Sequence, residues 1–366
     1  MTGDGARIGK VTTATYEFPT PEPEADGTLQ WDATTAVTVT VQAGGKTGLG
    51  WTYSSAAAAA VITDHLAPAV HDRDAFDIAA GWSAMHRACR NLGTRGLVMQ
   101  AVSAVDIAWW DLKARLLEVP LAAMMGRCRT EVPIYGSGGF TTLTDAQLEQ
   151  QVQWWRSVGC TSMKIKIGES WGSRIDRDLA RVRRLRELAG DDAELMVDAN
   201  GGYAVGPARR VGAALDDLGV TWFEEPVSSD DTYGLGTVRA ALRCDVAAGE
   251  YAADLYDVRA LLPVVDCLQL DATRCGGYTG WLRGAALADA HNLQVSAHCA
   301  PALHAPVAAA IPNLRHVEWF ADHARLEPLL VDGLADARRG ALHLDNDAPG
   351  HGMSISPGAE RWSTAS

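Results

Sequence analysis

Eight ionisable residues recur at a steady interval: Lys164 and Lys166, then Asp198, Glu224, Glu250, Asp271, His298 and Glu318, in steps of 20 to 32 residues. Asp198, Glu224 and Glu250 bring three carboxylates with no cysteine or histidine among them, a hard oxygen set that suits Mg²⁺, with Mn²⁺ as a substitute. One such acid is ordinarily the N-cap of the helix that follows it, but three in register are not explained that way. Asn200, two residues past Asp198, points to the same side and is placed to hold a metal-bound water or a substrate. Lys164 and Lys166 share one face of a strand, and one of them becomes a usable base if a nearby metal lowers its pKa. His298 and Asp271 end neighbouring strands, so the carboxylate can hold one imidazole nitrogen and leave the other for a substrate. Glu225 faces away from Glu224 and is expected in a structural ion pair, and the role of His304 stays open.

These residues need a scaffold that repeats once per step. After Val132 the chain supplies it, as short apolar strands (VPIYGSG, SMKIKIG, ELMVDAN, TWFEEPV, VAAGE, CLQLD, LQVSAH and HVEWF) alternating with helical stretches such as DRDLARVRRLRELAG and GWLRGAALADAHN. That alternation predicts a parallel βα barrel, in which charged groups at the carboxyl ends of consecutive strands converge on one face. Little helix is expected after the eighth strand. From about Leu326 a Pro- and Gly-containing tail is expected to run back toward the N-terminal part.

The first third reads differently. AVTVTVQAGGKTGLGWTYSS alternates like a hairpin about its Gly-Gly pair, and its GGKTG is no phosphate loop, because Thr40 stands where that motif needs glycine. From about Ser54 to Arg127 the sequence turns helical, including the alanine run Ala56 to Ala60. Trp109 and Trp110 are expected to pack in the core or between domains. At 366 residues and 47% apolar, the chain can build a barrel plus a smaller domain. A net charge of −13 repels nucleic acid and anionic membranes, so an acid-binding site must be made positive locally. Seven scattered cysteines without CxxC spacing fit reduced thiols in a cytoplasm, and no signal peptide or membrane span is expected.

In order and spacing, MKIKIG, VDANGG, FEEP, AGE, LDATRCGG, SAH and VEWF, with SAVDIAWWDLKARLLEVPLAAMMG at 103–126, resemble the enolase superfamily, and within it the mandelate racemase-like group. The resemblance implies an α/β fold: a modified (β/α)8 TIM barrel of the (β/α)7β type under an N-terminal α+β capping domain. The division is 1–127 cap, 128–325 barrel and 326–366 a tail returning to the cap. It implies that Asp198, Glu224 and Glu250 bind Mg²⁺, that Lys166 serves one face of the substrate and the His298–Asp271 pair the other, and that Lys164 and Glu318, the latter protonated, contact the substrate carboxylate. It also implies a homo-oligomer. Relatives that cycloisomerise muconate carry a lysine where Asp271 stands, which disfavours their chemistry.

The chemistry so implied is abstraction of the proton beside a carboxylate, with the resulting charge stabilised by a cation and nearby donors. Dehydration of an acid sugar is the favoured outcome. The alternatives are racemisation, epimerisation or cycloisomerisation of a 2-hydroxy acid or uronate; a metal-dependent aldolase or a non-catalytic metal-binding barrel is the more distant rival. Specificity is expected from cap loops at Pro19–Trp31 and Gly48–Ser55 and from Tyr135 and Ser137 at the barrel mouth, the first loop acting as an acidic, mobile lid.

Overall fold

The computed structural model describes residues 6–345 and 347–364. Its first unit is a three-stranded antiparallel sheet of β1 (Lys10–Ala25), β2 (Gln30–Ala43) and β3 (Lys46–Tyr53). Gly44 and Gly45, both at positive φ, make the tight turn between β2 and β3. A helical stretch over 57–70 includes a π turn at Ile62–Leu66, in place of the ordinary helix expected there. It is followed by α1 (Ile78–Ala88) and α2 (Leu97–Leu116), the latter packed along β3. Val37, Val39 and Val41, alternate residues of β2, join Val102, Val105 and Trp109 of α2 in a cap core of their own.

Two expected cap loops are regular structure instead. β1 continues through PTPEPEA, re-pairing with β2 at Glu24↔Trp31 and Ala25↔Gln30 after a bulge, so only the turn 26–29 is loop. Most of Gly48–Ser55 is strand β3. A bulged edge strand accommodates prolines because their missing N–H groups need not face a partner. The turn itself is fixed: Asp26 Oδ1 accepts from Thr28 N at 2.5 Å and Leu29 N at 2.8 Å, and Thr141 Oγ1 donates to Asp26 O. A Cβ on Gly27 would lie 2.5 Å from Ile167 O, so glycine lets this turn rest on the barrel.

Eight strands close the barrel: β4 (Glu131–Gly138), β5 (Ser162–Lys166), β6 (Glu194–Asp198), β7 (Val220–Glu224), β8 (Asp245–Ala248), β9 (Cys267–Leu270), β10 (Gln294–Ala297) and β11 (Leu314–Phe320). Each pairs in parallel with the next, and β11 pairs with β4. Helices α3 (Asp145–Ser157), α4 (Ile175–Ala189), α5 (Val205–Asp217), α6 (Thr232–Arg239), α7 (Leu255–Leu261), α8 (Gly277–Ala290) and α9 (Pro301–Ala308) follow the first seven strands. Contrary to expectation, the eighth strand also leads straight into a ten-residue helix, α10 (Ala321–Leu330), and Leu326 lies inside it. The Pro and Gly that suggested a tail lie beyond this helix, whose buried face carries Leu326 and Leu330. Beyond α10, residues 341–343 pair antiparallel with β4, and the end of the chain reaches the cap, where Thr364 N donates to Thr15 O.

Every barrel strand alternates between two cores. Ile165, Val197, Phe223, Leu268, Leu270 and Val295 face the helices, while Tyr135, Met196, Trp222, Ala247 and Cys267 form a plug inside the ring. The polar residues one or two steps further along the inward face must therefore stack above that plug. Among the described residues, no helix is long and apolar enough to cross a membrane.

Candidate active site

Lys166, Asp198 and Glu224 are register partners across β5, β6 and β7, so their side chains leave the barrel at one level. Glu250 joins them past Gly249, whose φ of 134° and lack of a Cβ (one would sit 2.4 Å from Gln269 O) let the chain turn there. Ligand oxygens of Asp198, Glu224 and Glu250 lie within 4.8 Å of one another, and all three residues are buried. Lys164 Nζ donates to both Glu224 oxygens at 2.7 Å and lies 2.9 Å from Glu318 Oε1; Lys166 Nζ donates to Asp198 Oδ2 at 2.5 Å.

The balance of charge here is lopsided. Asp198, Glu224, Glu225, Glu250, Asp271 and Glu318 are buried together, against Lys164, Lys166 and Arg274. Burial, then the neighbouring Asp198, pushes the Glu224 carboxyl well above its usual range, and burial, then Glu250, does the same to Glu225. Burial alone would lower both lysines, yet Glu224 and Glu318 around Lys164, and Asp198 beside Lys166, hold each above its ordinary value. Glu250 Oε1 accepts from Arg274 at 3.0 Å, whereas Oε2 is buried and accepts no hydrogen bond, though His298 Nε2 is 3.3 Å away. A compact oxygen cluster short of positive charge, with a buried oxygen unclaimed, fits a hard divalent cation. The second cluster of potential ligands, His298, Cys299 and Glu318, fits less well, because Lys164, Ser137 Oγ and Cys299 N already occupy the Glu318 oxygens.

His298 follows β10 opposite Asp271 at the end of β9. Its Nδ1 is 2.9 Å from Asp271 Oδ2, and Nε2 faces Cys299 Sγ at 3.2 Å. Burial would raise the Asp271 carboxyl, but the bonded His298 and then Arg274 hold it well below the usual range, so it acts as a fixed anion behind the imidazole. His304, whose role the sequence left open, ties the two loops together. Its Nδ1 is 2.9 Å from Cys299 O, and its Nε2 accepts from Ala272 N at 2.8 Å.

Several expectations need correction. Tyr135 and Ser137 do not line the cavity: Tyr135 belongs to the plug, and Ser137 Oγ donates to Glu318 Oε1 at 2.6 Å from beneath. Glu225 makes no ion pair among the described residues. At φ 37° it leaves the strand alternation and joins the carboxylate cluster. Glu318 is not a neutral acid here, since Lys164 and then His298 overcome its burial and hold it well below the carboxylate range.

Above these groups opens a cavity of about 360 Å³, within the size range of small-ligand clefts. Lys166, Asn200, Glu250, Asp271 and His298 form its floor, with Asn200 Oδ1 buried and unbonded. Of its upper wall, Trp31 and Tyr53 lie in the two cap segments from which specificity was expected, whereas sequence reasoning missed Thr34 of the cap, Asp322 and His323 from the start of α10, and Arg274 and Cys299 near the floor. The strand-end rule that found the others, carried four residues past Glu318, would have reached Asp322.

The cap is fastened to the loop that carries Asp271. Ser103 Oγ accepts from Gly276 N and Gly277 N at 2.9 and 3.1 Å; Asp106 accepts from Thr279 N at 2.9 Å and Thr279 Oγ1 at 2.7 Å; Trp110 Nε1 donates to Thr279 Oγ1. These three residues share one face of α2 and meet the N-terminus of α8, where unpaired N–H groups seek acceptors. Trp110 is thus an interdomain contact, while Trp109 donates to Ala75 O inside the cap core.

A capped parallel barrel with acids, lysines and a His–Asp pair gathered at the carboxyl ends of its strands is the architecture of barrel enzymes that work at that face. The chain belongs to the mandelate racemase / muconate lactonizing enzyme family: residues 10–126 match that family's N-terminal domain, and residues 147–359 match the enolase C-terminal domain-like family. The fold is similar to the crystal structure of a mandelate racemase/muconate lactonizing enzyme-like protein from Rubrobacter xylanophilus, with TM-score 0.95 and 42% identity over 98% of this chain and all of the other. A 3,6-anhydro-alpha-L-galactonate cycloisomerase from Streptomyces coelicolor is 33% identical over 95% of this chain and 97% of its own length. L-talarate/galactarate dehydratase from Salmonella typhimurium, solved with Mg and L-lyxarohydroxamate, superposes with TM-score 0.91 at 28% identity, over 99% of this chain and 94% of that one.

Proposed function

We propose that this chain is an Mg²⁺-dependent acid-sugar dehydratase, which removes the proton beside a substrate carboxylate and then expels the hydroxyl on the next carbon as water. The observation that carries this reading is a His–Asp pair and a lysine on well-separated strands of one ring, sharing a floor with a cluster of buried carboxylates. Asp198, Glu224 and Glu250 would hold Mg²⁺, which supplies charge to offset what accumulates on the substrate carboxylate as the proton leaves.

Lys166 Nζ is placed to take the proton from C2. It can do so only once Asp198, which holds it protonated, is otherwise engaged. His298 Nε2, fixed by Asp271 through Nδ1, delivers a proton to the C3 hydroxyl oxygen as the C3–O bond breaks. Water leaves, and the enol of a 2-keto-3-deoxy acid remains. Lys164 lies under the floor, where it fixes Glu224 against Glu318 and adds positive charge to the site. In D₂O with Mg²⁺, a panel of acid sugars should yield 2-keto acid from at least one member. Deuterium uptake at C2 with no 2-keto acid would instead support racemisation or cycloisomerisation. The extended likeness to a cycloisomerase favours that second reading, in which the same two proton carriers act without loss of water.

We infer a cytoplasmic setting from the free state of all seven cysteines, six of them buried. A homo-oligomer is the expected assembly, which light scattering would measure.

A further inference from the structure

The two ends of the cavity differ in the cations they offer. The only cations among the described residues that line it are Lys166 and Arg274, both on the barrel floor. The opposite wall carries Asp26 and Asp322. Asp322 is buried and accepts from Thr34 Oγ1 through Oδ2 and from Arg325 through Oδ1; Arg325 also donates to Pro19 O and does not line the cavity. Behind Trp31, whose Nε1 donates to Glu24 Oε2 at 3.0 Å, Glu24 adds a further acid, pushed up to about 8 by burial and by Asp322.

His323 sets the polarity of this wall independently. Its Nδ1 accepts from Ala300 N at 2.9 Å, which puts the ring proton on Nε2, and burial keeps the ring neutral by moving its pKa down to about 4. Nε2 has no hydrogen-bond partner among the described residues, and the ring is held in place by stacking on Tyr53 at 3.7 Å. His323 is 7% exposed and lines the cavity, so its N–H donor is presented there beside the acceptor Asp322. An adjacent donor and acceptor suit a hydroxyl, which both gives and takes a hydrogen bond. A carboxylate can only accept, and here it would face carboxylates with no free cation among the described residues to meet it.

We infer that the substrate is a monocarboxylate with a neutral, hydroxylated far end, an aldonic acid, and that the wall of Asp322, His323 and Thr34 discriminates against dicarboxylic aldaric acids. The inference rests on the proposed acid-sugar chemistry at the floor. Its test is kcat/KM of the Mg²⁺-loaded enzyme on matched pairs, an aldonate and the aldarate of the same configuration at C2 to C5, such as galactonate and galactarate. A like charge set against this wall is repelled, so the aldonate should be favoured by about 100-fold. Asp322→Asn should cut that ratio by about 10-fold or more, as one unit of like charge is removed. Calorimetric binding of each pair to the Lys166→Met protein should rank them in the same order.

An aldarate used as well as its partner, or a ratio unmoved by Asp322→Asn, overturns the inference while C2 exchange keeps the chemistry intact. If no acid of either class exchanges its C2 proton, the reading of the floor fails, and this one with it.

Discussion

The floor and the wall of the cavity are built by different means. The floor is set by the barrel strands: Lys166, Asp198 and Glu224 are locked at one height by parallel pairing, and Glu250, Asp271 and His298 follow within two residues of the ends of theirs. The wall is assembled across a seam, with Trp31, Thr34 and Tyr53 from the antiparallel cap meeting Asp322, His323 and Glu327 of α10 through side-chain contacts: Thr34 on Asp322, Tyr53 on Glu327, and Tyr53 stacked on His323. Groups fixed by main-chain pairing suit chemistry that tolerates little misplacement, whereas a wall of side-chain contacts can be altered without disturbing the floor.

If that division holds, the largest effects must follow changes to the floor. Glu250→Gln removes one anionic oxygen from the cluster and should lower kcat by about a thousandfold or more. Thermal stability without metal should stay the same or rise, since the change relieves crowding among buried acids. Wild-type turnover in this variant, measured with saturating Mg²⁺, would remove the cluster from the chemistry. Lys166→Met and His298→Asn divide the floor further. Each should cost roughly 10² to 10⁴ in turnover, and exchange at C2 of paired epimers, followed by NMR in D₂O, should vanish for one epimer in each variant. Loss of exchange on both epimers in both variants would indicate a single base.

The floor was also the part legible in the sequence. A strand buried on both sides alternates between two cores with a period of two, so M-K-I-K-I and V-D already assign their charged residues to the inside of the barrel. Sequence alone gives the side but not the height. Ser137 pairs with Lys164 and so lies one layer below Lys166, and Tyr135 lies lower still, which removes both from the cavity. Glu225 was misread because strand alternation fails once φ turns positive. The cap's share of the wall, Trp31 and Tyr53, fell in the expected specificity segments, but its partners on α10 did not: a contact such as Thr34 with Asp322 joins residues 288 apart, and no local pattern encodes that pairing.

The seam should show smaller effects that fall mainly on stability. Asp106→Ala leaves the N–H and hydroxyl of Thr279 without their acceptor at the start of α8, a loss of roughly 2 kcal/mol for a part-buried pair of hydrogen bonds. A urea midpoint that falls, with kcat held within about twofold, would support the separation of seam from floor. A fall in kcat as large as that of Glu250→Gln would show the two to be one unit.

The smallest effect is a pH dependence confined to the seam. Glu327 accepts from Tyr53 OH at 3.1 Å and from Ala302 N at 3.1 Å, and burial pushes its carboxyl up to about 8, with those two bonds only partly offsetting the shift. In the unfolded chain an ordinary glutamate titrates near about 4.3, so the folded protein holds this proton more tightly. Stability from that proton is complete below about pH 4.3 and is lost as pH rises through about 8. Glu327→Gln cannot titrate and should lack this component. The wild-type Tm minus the variant Tm should therefore decline by a few degrees, about 2 to 4 °C, between pH 5 and pH 9, while the acids of the floor, common to both proteins, cancel in the difference. A difference that stays constant across this range would mean that water or a rearranged Tyr53 solvates Glu327, and that the cap meets α10 less tightly than the hydrogen bonds indicate.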